Sequence, residues 1–212
     1  MNTDFKNVTL VDHPVVARDL TVLRNKNTPP PVFRSALGRI AIILAYHSLK
    51  GLPLRKVTVE TPIQKTDGYE LDTEIAVVSI LRAGLGLVDA VMQFIPEAKV
   101  GHLGMYRDEE THRPIDYYSK IPGNIDRHHV LLVDPMLATG GSAVDSISFL
   151  KSKGAKNIRF MCLISAPEGI RMIQEAHPDI SIITAAIDEH LNEDAFIVPG
   201  LGDAGDRIFG TI

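Results

Sequence analysis

The stretch Val130-Leu131-Leu132-Val133-Asp134-Pro135-Met136-Leu137-Ala138-Thr139-Gly140-Gly141-Ser142 decides the reading of this chain. Four consecutive aliphatic residues predict a strand buried on both faces, because a strand with one wet face would alternate. The run stops at a carboxylate, passes through a loop holding Thr139 and two glycines, and enters a helix near Ser142. Glycines let backbone N–H groups turn toward an anion, and the start of a helix adds unsatisfied donors and a favourable dipole. Thr139 and Ser142 can add hydroxyl donors, and Asp134, a pure acceptor when ionised, can take hydrogen bonds from two adjacent sugar hydroxyls. A plainer reading stays open at this point, in which Gly140-Gly141 only makes a turn and Ser142 caps the helix. No lysine follows the glycines as a nucleoside-triphosphate loop requires, and their spacing is not the dinucleotide fingerprint.

Outward from this segment the same grammar recurs. Ile75-Ala76-Val77-Val78-Ser79-Ile80, the run Ile158 to Ile164 and the run Ile180 to Ala185 read as further buried strands. Val144 to Lys153 reads as a helix between two of them. Arg34 to Lys50, with Leu37, Ile40, Ala41, Leu44, Ala45 and Leu49 at spacings of three and four, predicts an amphipathic helix closed by Gly51. Strands alternating with helices define an α/β fold with a mostly parallel sheet flanked by helices, and such sheets bind ligands beyond the carboxyl ends of their strands. Val57 to Thr61 reads as a short strand followed by a turn at Asp67-Gly68. Pro29-Pro30-Pro31 is expected to stop any regular element, setting off residues 1–31 as an N-terminal arm on one domain spanning 1–212.

Composition narrows the classes. The chain has 212 residues, 45% hydrophobic and 23% charged, which suits one folded domain rather than a disordered segment. Lys and Arg number 22 against 26 Asp and Glu, so the formal charge of -4 offers no general field for a nucleic-acid backbone. No run approaches the roughly 18 apolar residues that would cross a bilayer, and no leader pattern opens the chain, so the expected location is cytoplasmic. The single Cys162 lies in an apolar run and reads as a buried thiol. The eight histidines show no zinc-ligand spacing, and His128-His129 are expected to precede the strand at Val130, where adjacent residues would point to opposite faces. No protein metal site is expected.

Four segments together carry a resemblance: Ile80-Leu81-Arg82-Ala83-Gly84-Leu85-Gly86, Gly104-Met105-Tyr106-Arg107, Asp134 through Ser142, and Ile197-Val198-Pro199-Gly200-Leu201-Gly202-Asp203-Ala204-Gly205-Asp206-Arg207-Ile208-Phe209-Gly210-Thr211. In order and spacing they resemble the type I phosphoribosyltransferases, and among these the uracil-specific branch. The resemblance covers roughly the last two thirds of the chain. It implies 5-phosphoribosyl 1-diphosphate and uracil as substrates, UMP and diphosphate as products, and Mg2+ arriving with the sugar diphosphate. By the same resemblance Arg82 and Arg107 meet the diphosphate end, with Asp203 also facing the sugar diphosphate. Asp134, Pro135, Met136, Leu137, Ala138, Thr139, Gly140, Gly141 and Ser142 hold the ribose and its 5-phosphate. Ile197 and the backbone of Gly202, Asp203 and Ala204 receive uracil, making residues 188–212 a small base-binding tail over the site. Members of this branch often form dimers or larger assemblies, and some respond to GTP.

The residues themselves sharpen these expectations. Arg82 follows a buried strand into a glycine-containing loop, where a guanidinium can stabilise charge on departing diphosphate. Tyr106 to Pro114 is polar and lies between apparent strands, so it reads as a loop able to close over the diphosphate. The tail, with Gly200, Gly202, Gly205 and Gly210, can bring main chain against a flat ring while Ile197 and Phe209 cover its faces. Pro135 stands where many relatives carry a second acid, which points to Mg2+ bound mainly by substrate oxygens and water. Ala138 replaces the acid that relatives acting on 6-oxopurines use, disfavouring that branch. The competing readings are a nucleotide-sensing RNA-binding regulator on this fold, which the charge disfavours, and a transferase for adenine or orotate, which the tail disfavours.

Overall fold

The computed structural model describes residues 5–107 and 114–211, except for the side chains of 105–107 and 114–117. In chain order the elements are β1 (Val8–Leu10), α1 (Pro14–Arg24), α2 (Pro30–Ser48), β2 (Leu54–Glu60), β3 (Lys65–Leu71), β4 (Glu74–Ile80), α3 (Leu85–Phe94), β5 (Lys99–Arg107), β6 (Pro114–Lys120), β7 (His128–Val133), β8 (Met136–Leu137), α4 (Gly141–Ser152), β9 (Asn157–Ser165), α5 (Pro167–Ala176), β10 (Ser181–Ile187), β11 (His190–Leu191), β12 (Ile197–Val198) and α6 (Ala204–Phe209).

The main sheet runs β1-β10-β9-β7-β4-β5-β6, with β8 adding a short pairing to β9. Every neighbouring pair is parallel except β5 with β6. The apolar runs split by the two-residue strand period until Ile164, which joins Leu163 in the first core. Ile75, Val77, Leu131, Val133, Met161 and Leu163 face the core built with α1, α2 and α3. Ala76, Val78, Ile80, Val130, Leu132, Phe160 and Cys162 face the opposite core, which includes Ile147 of α4 and Ile170 of α5. Each fully buried Leu or Phe on these faces contributes about 1.5–3 kcal/mol relative to exposure, and covering both faces is what allows the strands to be apolar throughout. Cys162 is fully buried, and burial pushes its thiol up to about 12.

Three expectations shift in detail. The proline run does not stop structure; it starts it. Pro30 and Pro31 occupy the first positions of α2, where the missing N–H has no helical partner to lose and the fixed φ is already helical. The helix accordingly spans Pro30–Ser48 rather than 34–50. Asp67-Gly68 is not a turn: both residues lie inside β3, opposite Thr58 and Val57 of β2, and the reversal is made at residues 61–64, where Thr61 Oγ1 accepts from the N–H groups of Ile63 and Gln64. His128 and His129 do not precede a strand; they begin β7 and are buried there, where desolvation lowers His129 to about 4. The arm residues form β1, which adds to the edge of the sheet beside β10, and α1, which packs on α2. Asp19 of α1 is buried between Arg18 and Arg39, and the Arg39 guanidinium holds its carboxyl below the usual range.

Candidate active site

The site lies beyond the carboxyl ends of β4 and β7, where their connections lead to helices on opposite faces of the sheet. Asp134 is the first residue after β7, and its N–H donates to Met161 O at 3.2 Å. The loop that follows is fastened to β9. Pro135 O accepts from Leu163 N at 2.9 Å and Ile164 N at 3.1 Å, Met136 and Leu137 pair with Ile164 and Ser165 as β8, and Leu137 O accepts from Ala166 N at 2.9 Å. A segment that reads as loop is thus partly a strand, because its backbone groups find ladder partners.

Gly140 caps the start of α4 with a φ of 85°, and Gly141 opens the helix. The cap has no side chain, so Ser142 is not the cap that the plainer reading offered. A Cβ on Gly140 would stand 2.9 Å from Gly169 O and from Met172 Cβ, so the turn both needs the left-handed conformation and presses against α5. Asp134, Met136, Leu137, Ala138, Thr139, Gly140, Ser142 and Ala143 line a cradle of about 100 Å³. Its floor is helix N-terminus and loop backbone, a chemistry suited to a phosphate.

A second cavity, about 250 Å³, shares Asp134, Met136 and Ala138 with the cradle and continues to Ala83, Phe196, Ile197, Gly202, Asp203 and Ala204. One wall is a small hairpin of β11 and β12, with His190 opposite Val198 and Leu191 opposite Ile197. Its tip is organised by Asn192, whose Oδ1 accepts from Asp194 N at 3.1 Å and Phe196 N at 2.8 Å. The other wall is the Gly202-Asp203-Ala204 turn, where Asp203 Oδ1 caps α6 by accepting from Asp206 N at 2.9 Å. Asp134 opens to the cavity but is otherwise enclosed by protein. Burial, with the nearby Asp203 charge adding to it, pushes its carboxyl up to about 7 against the opposing bond from Met136 N.

Arg82 sits two residues past β4, on the side of Ala83 and Gly205, with 59% of its side chain exposed. Its Nη2 donates to Asp206 Oδ1 at 3.2 Å, and Asp206 also accepts from Thr211 Oγ1 at 2.6 Å. The Thr211 bond first, then Arg82, hold the Asp206 carboxyl below its ordinary value. Arg107 is the last residue of β5; its expected contact and the expected closing loop, with residues 108–113, fall outside the described residues and side chains. Among the described residues no three His, Cys, Asp or Glu side chains gather as a metal cage.

The structure therefore brings Asp134, the loop from Met136 to Ser142, Ile197 and Gly202 to Ala204 around one pair of joined cavities, while Arg82 lines neither and stands beside Gly205 at the border of the second. It does not bring Phe209 there: that ring is 42% exposed and borders a separate cavity with Arg34 and Leu85, while Phe196 lines the tail side of the site. Asp206, Arg24, Asp188 and Arg207 escaped the sequence reading. Asp206 and Arg207 lie inside the quoted tail, but the partners that tie them to the rest of the fold, Arg82 for one and Leu23 and Asn25 for the other, are far off in sequence and carry no local signal.

Sheet order, flanking helices and a glycine-containing cradle after a central strand are those of the phosphoribosyltransferase class. A hypoxanthine phosphoribosyltransferase from Trypanosoma cruzi, solved as a point mutant complexed with the product IMP, shares this fold at a TM-score of 0.52 and 14% identity, over 74% of this chain and 75% of that one. A solved Aquifex aeolicus protein superposes with a TM-score of 0.89 at 34% identity, over 95% of this chain and 97% of its own. Residues 10–211 match the family model described as uracil phosphoribosyltransferase. Proteins of that name from Salinibacter ruber and Dictyoglomus thermophilum are 54% and 56% identical, covering 97% and 96% of this chain and 98% and 99% of theirs. The chain belongs to the uracil phosphoribosyltransferase family.

Proposed function

We propose that this protein transfers the 5-phosphoribosyl group of 5-phosphoribosyl 1-diphosphate to uracil, giving UMP and diphosphate in pyrimidine salvage. The observation that carries the reading is the pair of joined cavities meeting at Asp134, a phosphate-sized cradle of about 100 Å³ on one side and on the other a cavity of about 250 Å³ bordered by Phe196, Ile197 and Gly202 to Ala204. In this reading the 5-phosphate sits on the 138–142 backbone and Asp134 accepts from the ribose hydroxyls. Uracil lies between Ile197 and the Gly202 to Ala204 backbone, with its two carbonyls and two N–H groups met by groups of fixed geometry. Arg82 faces the departing diphosphate, where negative charge grows as the anomeric bond breaks, and Arg107 and Asp203 complete that side.

Mg2+ fits the donor set: Asp134 and Asp203 border one cavity and the Asp203 charge raises the Asp134 carboxyl, so the pair would accept a divalent cation carried in on the diphosphate with much of its water. Such an ion would supply charge neutralisation at the leaving oxygens. Assembly into a homo-oligomer belongs to the same reading, supported by the apolar side chains of Leu54, Val59, Ile63 and Tyr69 that the β2–β3 hairpin leaves exposed. Regulation by GTP rests on the resemblance alone. A cytoplasmic setting accords with a lone, buried, unpaired thiol. No described helix is long and apolar enough to cross a membrane. The RNA-binding regulator is not favoured, given relatives at this identity. A base-competition assay with sugar diphosphate and Mg2+ tests the reading: UMP formation should dominate, and equal product from uracil, cytosine, hypoxanthine, adenine and orotate would overturn it.

A further inference from the structure

The base slot has a fault line. Ile197 on one wall and Gly202 to Ala204 on the other are joined by Val198-Pro199-Gly200-Leu201, a short excursion that sets how far apart the walls stand. Gly200 is the pivot. Its φ is 59°, and a Cβ there would stand 2.1 Å from Ile197 O, so the chain folds back on the very residue that lines the slot.

Both backbone groups of Gly200 are held by one ion pair. Asp188, at the end of β10 and only 5% exposed in its side chain, accepts from Gly200 N at 2.8 Å. Arg24, the last residue of α1, donates to Gly200 O at 2.9 Å. The two side chains meet in a paired fork, with Arg24 Nη1 2.8 Å from Asp188 Oδ2 and Nη2 2.6 Å from Oδ1. Next door, Arg207 of α6 donates to Leu201 O at 2.7 Å and Asn25 O at 2.7 Å, bonds Leu23 O as well, and lies 4.5 Å over the Phe33 ring. The end of α1 therefore grips the excursion at two consecutive residues.

We infer that Arg24 and Asp188 are positioning residues for base recognition, fixing the Gly200 pivot so that the walls of the slot keep the spacing of one flat ring. This rests on the reading of that slot as the base site. Neither side chain lines the slot, so each acts through the main chain. The planar fork is what a guanidinium supplies and an ammonium cannot, since lysine can satisfy the carboxylate or the carbonyl but not hold both in one plane.

The test is steady-state kinetics on Arg24→Ala, Arg24→Lys and Asp188→Asn in the full chain, with KM measured separately for uracil and for the sugar diphosphate, and with cytosine as the competing base. Misplacement of about 1 Å costs roughly 10- to 100-fold in productive binding. Arg24→Ala and Asp188→Asn should raise the uracil KM by about that range and narrow the preference over cytosine, while the sugar-diphosphate KM stays within about twofold. Lysine should restore part of the loss. If the alanine variant melts below the assay temperature, the lysine and asparagine variants decide. Folded variants with unchanged uracil KM and unchanged base preference would overturn the inference, as would equal losses for both substrates. A parent enzyme inactive with uracil would instead overturn the underlying reading.

Discussion

At the scale of single residues, Arg82 and Asp134 carry the sharpest expectations. Arg82 is exposed, is tied to Asp206 among the described residues, and belongs to neither core, so its removal leaves both cores untouched. If it stabilises the departing diphosphate, Arg82→Ala should lower single-turnover UMP formation by about 10²- to 10³-fold, the loss of one preorganised contact, with lysine recovering a fraction. A folded variant within twofold of the parent would remove Arg82 from catalysis. Asp134 is poised differently, because its carboxyl is raised from 3.8 to about 7. Between those values the folded protein holds a proton that the unfolded chain has released, so stability contributed by the neutral form is lost as pH rises through about 7. Asp134→Asn should therefore melt above the parent at pH 8, by about 2–6 °C once the shift is discounted for the open side of the cavity, and the gap should close toward pH 4. The parent's kcat/KM for sugar diphosphate should rise with pH up to about 7, since only the carboxylate accepts from both ribose hydroxyls. A flat difference in melting temperature across that range would show that Asp134 is not the group so perturbed. Sequence placed both residues correctly just past strand ends, but it could not anticipate the shift, which comes first from burial of Asp134 in the folded chain and then from Asp203, sixty-nine residues away.

At the scale of elements, the unit from β7 through the cradle to α4 was the most legible part of the chain, since its strand, turn and helix start are all local signals. Its tension was not. A Cβ on Gly140 would stand 2.9 Å from Gly169 O at the start of α5, next to the loop that β8 ties to β9. Gly140→Ala must place a side chain at positive φ and against that backbone, which should cost about 2–3 kcal/mol and lower the melting point by roughly 5–10 °C. The KM for sugar diphosphate should rise more than that for uracil, because the cradle and not the base slot is displaced. Unchanged kinetics for the sugar diphosphate would argue that the loop binds no phosphate. The β2–β3 hairpin marks the opposite limit. Its strands are mostly exposed, so no buried face fixes their register in the sequence, and Asp67-Gly68 looks like a turn although it pairs across a ladder.

At the scale of the molecule, base choice is the property that needs every part in place. Cytosine reverses part of uracil's donor and acceptor pattern, so a slot of fixed main-chain groups should prefer uracil by up to roughly 10⁴-fold, because a mismatch leaves buried groups unpaired. Rates of product formation with each base measure this directly. That slot is assembled from the loop after β7, the β11–β12 hairpin and the start of α6, and is braced by the end of α1. The sequence by itself determined the α/β class, the strands buried on two faces, the strand–loop–helix course of the cradle and the family, because hydrophobic period, glycine placement and contiguous motifs are properties of neighbours along the chain. Only the tertiary structure decided that Asp203 bears on Asp134, that Asp206 holds Arg82, that Phe196 rather than Phe209 lines the site, and that Arg24 and Asp188 grip Gly200. Those depend on groups up to 176 residues apart coming together, the hydrogen-bonded ones at 2.6 to 3.2 Å, and distance along the chain carries no record of closeness in space.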